Sequence, residues 1–269
     1  MGVLQAGPID LAPGSLLLSQ PTIAITTANT ITYSQSGKIL STGQITGTGD
    51  LAEAMTVLSG QLYVSDGSGA INRIDLSSGA VSSSFSTGMI GLDGLGSLGT
   101  NLIAVDFQST AIAVYTPGGQ FLNSITLASV PSGLLDWTGL ASDGSLFYIG
   151  DYGSGRIYRY DMTGRLVGYI DTGLTNSLLS LSYDAANKSL WVTSGAAVLD
   201  YSLNGTVLSQ FATGSFRGSS IAVVPGSSVP EPDSRAVVAI VLAIAVLKPI
   251  RRLLSANMIE ASSSRGCVN

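Results

Sequence analysis

Leu62-Tyr-Val-Ser-Asp66, a short polar spacer, Ile71-Asn-Arg-Ile-Asp75 and the turn Ser78-Gly79 form the stretch on which the fold is decided. Its first part is a continuous run fit for a buried strand, its second alternates with the period of two that a strand requires, and the turn closes a hairpin. The same order returns along the chain. Ile23-Ala-Ile-Thr-Thr27, Leu102-Ile-Ala-Val-Asp106, Leu146-Phe-Tyr-Ile-Gly-Asp151 and Leu190-Trp-Val-Thr-Ser194 match the first part, and the five segments end 39, 40, 45 and 43 residues apart. Ile31-Thr-Tyr33, Ile112-Ala-Val-Tyr115, Ile157-Tyr-Arg-Tyr-Asp161 and Val198-Leu-Asp-Tyr201 match the second. The turns are Ser36-Gly37, Gly118-Gly119, Thr163-Gly164 and Asn204-Gly205, where glycine supplies the positive φ of a tight hairpin.

A third strand follows each turn. A fourth precedes each repeat, read from Ala54-Met-Thr-Val-Leu58, Leu92 to Leu98, Thr138-Gly-Leu-Ala141, Leu178-Leu-Ser-Leu-Ser182 and Ile221-Ala-Val-Val224. Four strands in 40 to 45 residues is the period of a propeller blade. One such sheet cannot cover both its faces, whereas sheets packed radially bury both and leave only short edges. The expected fold class is therefore all-β, a β-propeller of about five four-stranded blades over residues 21–226. Closure is expected from Ile221 to Val224 joining three strands drawn from residues 22–44. The repeats resemble those of the NHL-like and YVTN-like propellers. That resemblance implies a fold and leaves function open, because such propellers bind ligands or proteins, serve as scaffolds and, in some cases, hydrolyse substrates.

Composition excludes several chemistries. There is no His among the 269 residues, which removes the Ser-His-Asp triad and the usual zinc ligand sets. The single Cys267 cannot pair within the chain. Charge is split: residues 1–233 hold 7 Lys and Arg against 16 Asp and Glu, and residues 234–269 hold 5 against 1. An acidic body repels phosphate backbones, so no nucleic-acid partner is expected.

The basic end belongs to a second pattern. Val229-Pro-Glu-Pro-Asp-Ser is followed by the apolar run Ala236 to Leu247 and then by Lys248, Arg251 and Arg252. This order resembles the PEP-CTERM sorting signal, in which a Pro-Glu-Pro element, a hydrophobic helix and a basic cluster hold an exported protein in the inner membrane until an exosortase cleaves it. The resemblance implies that Pro230, Glu231 and Pro232 are the recognition element, that a helix over 236–254 crosses the inner membrane with Lys248, Arg251 and Arg252 inside, and that the body reaches the cell envelope or extracellular matrix. Residues 227–235 would be the linker and 255–269 a polar tail. Two features depart from the family: the uncharged run is only 12 residues long, and the chain continues well past the basic cluster.

Residues 1–20 lack Lys and Arg, and their apolar piece, Leu16-Leu17-Leu18, is too short for a leader. Because an exported protein needs one, the true start is expected upstream, and with it a leader and further blades.

One constellation suggests a site. Glu53, Asp93 and Asp136 precede Leu62, Leu102 and Leu146 by 9, 9 and 10 residues, which places three carboxylates at equivalent positions round one mouth of the central channel. Ca²⁺ is the ion that oxygen ligands of this kind would hold. Asp66, Asp106 and Asp151 lie toward the same face, where Asp after a strand commonly caps a turn. Trp137 lies near that mouth as a candidate ligand contact. The favoured reading is non-catalytic, with no cofactor and with extracellular polysaccharide or protein as partner. The alternative is a metal-dependent propeller hydrolase of the lactonase or gluconolactonase kind using Glu53, Asp93 and Asp136 as ligands, with no His and with Arg217 as the one basic residue near the last inner strand.

Overall fold

Short apolar runs separated by glycine turns leave the chain no way to bury itself except strand against strand. The computed structural model describes residues 8–22, 27–49, 52–130, 136–216 and 218–226, and they form five antiparallel four-stranded sheets. The first blade takes β1 (Leu16–Pro21), β2 (Thr27–Tyr33) and β3 (Ile39–Thr46). The second is β4 (Ala52–Leu58), β5 (Gln61–Asp66), β6 (Ala70–Ile74) and β7 (Val81–Ser86). The third is β8 (Gly94–Leu98), β9 (Asn101–Val105), β10 (Ala111–Tyr115) and β11 (Phe121–Thr126). The fourth is β12 (Trp137–Ser142), β13 (Leu146–Asp151), β14 (Arg156–Asp161) and β15 (Leu166–Asp171). The fifth is β16 (Ser180–Asp184), β17 (Ser189–Ser194), β18 (Ala197–Ser202) and β19 (Val207–Ala212). Finally β20 (Ser220–Val223) pairs antiparallel with β1, so that the chain's last strand becomes the inner strand of its first blade. This is a five-bladed β-propeller closed between its two ends.

Closure occurs in the expected manner but on a different segment. The sequence pattern assigns Ile23–Thr27 as the strand beside β20; the structure uses Leu16–Pro21, which falls within the stretch read as a separate N-terminal segment. Leu16, Leu17 and Leu18 are all fully buried. A strand paired on both edges and covered on both faces reads as an unbroken apolar run, not as an alternating one. Three leucines judged only as a leader were therefore a core strand. Ile9 also packs beneath the second blade, its N–H donating to Leu76 O at 2.8 Å.

The core is divided into five seams, one between each pair of successive blades. Leu17, Ile45 and Val224 of the first blade meet Met55, Leu62 and Val64 of the second. Tyr63 and Ile71 then meet Leu95, Leu102 and Tyr115. Ile103, Val105 and Val114 meet Phe147, Ile149 and Tyr160, and Tyr148 and Ile157 meet Leu190, Val192 and Tyr201. Trp191 and Val198 complete the ring against Leu16, Leu18, Tyr33 and Ile221. Each buried side chain of this size contributes about 1.5–3 kcal/mol, so successive blades are joined by many such contributions.

Two details recur in every blade. Each pairing of a third strand with its outer strand carries a β-bulge at the same place, beside Tyr33, Ile74, Tyr115, Tyr160 and Tyr201. The hairpin glycine before each outer strand also presses on the preceding blade. A Cβ on Gly79 would lie 1.9 Å from Gln44 O, and one on Gly164 2.0 Å from Thr126 O. These turns need glycine for the positive φ (71° and 83°) and again for the close approach.

Glu231, Pro230 and Pro232, Lys248, Arg251 and Arg252, and the helix expected over 236–254, lie outside the described residues. The unit Ser227–Asn269 is separate from the unit Met1–Gly226 that carries the blades.

Candidate functional site

The antiparallel pairing of inner with second strands fixes which end of each blade a residue occupies. Ala52 opposes Asp66, Gly94 opposes Val105 and Trp137 opposes Asp151. Glu53, next to Ala52, and Asp93 and Asp136, each one residue before its inner strand, therefore share one mouth of the ring with Asp66, Asp106 and Asp151. The register brings the three to one mouth but not to equivalent positions: Asp93 is level with Asp106, Glu53 lies one residue inward of the partner of Asp66, in the irregular part of that pairing, and Asp136 lies one residue outward of the partner of Asp151.

The two sets behave differently. Asp66, almost fully buried, accepts from Gly49 N (3.1 Å), Ser68 N (3.1 Å), Ala70 N (3.2 Å), Asn72 Nδ2 (2.8 Å) and the Ser68 hydroxyl. Burial pulls its pKa up, but these donors outweigh it and hold the carboxyl below the usual range. Asp106 accepts from Ile90 N and Gln108 N, both at 3.0 Å, and Asp151 accepts from Ser154 N and the Ser154 hydroxyl. All three cap turns. Asp66 and Asp106 also hold the segments that lead into the inner strands, through Gly49 N and Ile90 N.

The inner set lacks such donors. Asp93 is pushed up to about 9, first by burial, then by its hydrogen bond with Glu53, the Glu53 charge and the charges of Asp136 and Asp106. Asp136 is raised as well, by burial and by Asp151. Glu53 Oε2 and Asp151 Oδ1 are buried with no hydrogen-bond partner in the protein. Asp93 thus keeps its proton at neutral pH, because a carboxyl held away from water beside another acidic group is hard to ionise. Among the described residues, no three Asp, Glu, His or Cys side chains are grouped so as to hold a metal ion. Of the three carboxylates singled out from spacing, the structure pairs Glu53 with Asp93 and places Asp136 within electrostatic reach of Asp93.

Trp137 differs from its expected role. It is fully buried, donates from Nε1 to Ser109 O at 2.9 Å and packs edge-on against Tyr158 at 5.7 Å, so no face is left for a ligand. A large aromatic on an inner strand fills the seam first. Tyr63, Tyr115, Phe147 and Tyr201 are likewise buried in the seams, whereas Phe121 and Tyr169 on outer strands are exposed. Arg217 lies outside the described residues.

No protein-family model matches the chain, and no curated protein sequence does. Solved structures are similar to it in fold. A chain of a nidogen/laminin complex has a TM-score of 0.54 at 15% identity, over 78% of this chain and 98% of that one. A glutaminyl cyclase from Myxococcus xanthus has a TM-score of 0.49 at 19% identity, over 70% and 74%. A protein of unknown function from Bacteroides caccae has a TM-score of 0.49 at 16% identity, over 78% and 82%. At such identities the likeness is one of architecture, and sites vary freely on one architecture.

Proposed function

We propose that this chain is a non-catalytic propeller of the cell envelope or extracellular matrix, exported and released there by exosortase processing at its C-terminal end, where it binds polysaccharide or protein. The observation that carries the reading is the order Pro230-Glu-Pro232, apolar run Ala236 to Leu247, and basic Lys248, Arg251 and Arg252, directly behind the strand that closes the ring. Prolines on both sides of Glu231 keep that backbone extended and poor in internal hydrogen bonds, as a proteolytic cleft requires. The apolar run with a basic end suits an inner-membrane helix held with its cations inside. An excess of nine acidic charges over residues 1–233 favours neutral or cationic polymers over polyanions. Turn-capping carboxylates and apolar seams give a rigid disc on which loops can present a binding surface.

The test is processing. The chain placed behind a secretory leader and a tag, expressed with and without an exosortase, is expected to shorten and leave the inner membrane only when the enzyme is present and only when Pro230, Glu231 and Pro232 are intact. Identical size and location in all cases would remove the reading.

A second reading rests on the raised Asp93 carboxyl hydrogen-bonded to Glu53, since a strongly perturbed carboxyl in a channel is a mark of acid–base sites. It makes the protein a propeller hydrolase acting on lactones, with Asp93 as proton donor. Turnover of lactones, abolished by Asp93→Ala, would establish it in place of the first.

A further inference from the structure

The seam that closes the ring is polar over much of one face. The face of the fifth blade that turns toward the first is set by register: Ser180, Ser182 and Asp184 of β16 oppose Thr193, Trp191 and Ser189 of β17, and Trp191 in turn opposes Asp200 of β18. Cross-strand partners share a face, so these residues form one polar patch around the Trp191 and Val198 that join the core. Some of it is satisfied across the seam. Ser182 Oγ accepts from Val223 N at 3.0 Å and Ser180 Oγ from Ile221 N at 3.4 Å. Asp184 Oδ2 accepts from Gln35 Nε2 of the first blade (2.7 Å) and Asn187 Nδ2 (2.9 Å), and Oδ1 from the N–H groups of Ala186 and Asn187.

The rest has no protein partner. Ser189 Oγ, Trp191 Nε1, Thr193 Oγ1 and Asp200 Oδ1 are buried without a hydrogen bond, on residues 0, 1, 0 and 6% exposed. They are four of ten such atoms among the described residues, and all four share this face. Ser189 lies near enough to Asp200 to favour the charged carboxyl, though without the geometry of a full hydrogen bond. Buried polar atoms left this way cost about 1–3 kcal/mol each, so a cluster of them needs an occupant.

The donor set decides what that occupant is. The indole N–H only donates, so a bare cation is repelled. Asp184 and Asp200 repel an anion. A hydrocarbon satisfies nothing. What remains is a small molecule that accepts from Trp191, donates to Asp200 and does either with the two hydroxyls.

We propose that the closing seam is a built site for internal water, held between Trp191 Nε1 and Asp200 Oδ1 and by the hydroxyls of Ser189 and Thr193. The ends of the ring thus meet through hydrated polar contacts as well as through the packing of Trp191 and Val198. Burial raises Asp200 above the usual carboxyl range, Ser189 offsets part of this, and the Asp184 charge adds to it, as expected of a carboxyl with no cation beside it.

The test uses the full chain and water itself as the probe. Oxygen-17 relaxation dispersion detects water held inside a protein for longer than it takes to tumble, and its amplitude is expected to fall by about one long-lived molecule in Trp191→Phe, which keeps the ring and removes the N–H. Thr193→Val keeps the shape and removes a water-bonded hydroxyl, so its melting temperature is expected to fall by roughly 2–4 °C. An unchanged dispersion amplitude in Trp191→Phe overturns the proposal. So does a rise in melting temperature in Thr193→Val, the result expected if that hydroxyl is dry and unbonded.

Discussion

Replacing Gly164 by Ala tests the reasoning that joins blade to blade. Gly164 sits at φ 83° in the hairpin of the fourth blade, and its carbonyl accepts the N–H of Ala128 in the third at 2.8 Å. An L side chain in this left-handed region costs about 1–2 kcal/mol, partly returned through a stiffer unfolded chain. A Cβ there would lie 2.0 Å from Thr126 O and 2.9 Å from its carbonyl carbon, so the two rims must part by roughly 1 Å to reach van der Waals distance. That movement breaks the Ala128 hydrogen bond, worth about 1 kcal/mol, and loosens the packing beside it. The sum is about 3–4 kcal/mol, or roughly 8–12 °C in melting temperature for a domain of this size. Gly144 is the control: same blade, φ 86°, and nothing within 4 Å of its Cβ position. Gly144→Ala is expected to lose only about 1 kcal/mol, roughly 2–4 °C. Thermal unfolding followed by circular dichroism reads both. If the two variants melt together, rim contact contributes nothing and the account of the seams fails.

Other expectations follow from the channel mouth. Asp66→Ala strips five donors of their acceptor and should cost about 3–5 kcal/mol in chemical denaturation. Because the folded pKa of Asp66 is lowered, its contribution is present above the ordinary carboxyl range and is lost as pH falls through the folded value, so acid should narrow the gap between wild type and variant. Asp93 has the opposite sign. Its folded pKa of about 9 lies above the unfolded one, so its contribution is complete in acid and is lost as pH rises toward and through 9. Melting temperatures measured from pH 5 to 10 should show this decline in the wild type and a flatter profile in Asp93→Asn; parallel profiles would mean that Asp93 is not held protonated.

Much of this was readable in the repeats, for a physical reason. β5, β9, β13 and β17 are each followed by an alternating strand and a glycine turn, and that local grammar survives because every blade solves the same packing problem. Blade one escaped it. β1 pairs with a strand some 200 residues away, and its three leucines carry no alternation that would mark them as sheet. That Glu53, Asp93 and Asp136 share one mouth could be counted from spacing, whereas the bond between Glu53 and Asp93 depends on the irregular pairing around Glu53, which spacing does not show. The bond from Gln35 to Asp184 left no signal at all, since 149 residues separate two ordinary turn positions. Trp137 was misjudged because position on an inner strand does not say whether a ring faces the bore or the neighbouring sheet.

The bulges at the rim bear on how such discs behave when crowded. The five outer strands expose apolar pairs such as Ile39-Leu40, Phe121-Leu122 and Val207-Leu208, and Asp171 is their one charged residue. Straight, neutral edges of that kind recruit strands from other molecules. A kink near the start of each outer strand, repeated five times, throws the hydrogen-bonding groups out of line with any flat partner. Molecules packed side by side in a dense layer can then touch at their circumference without stitching into fibrils.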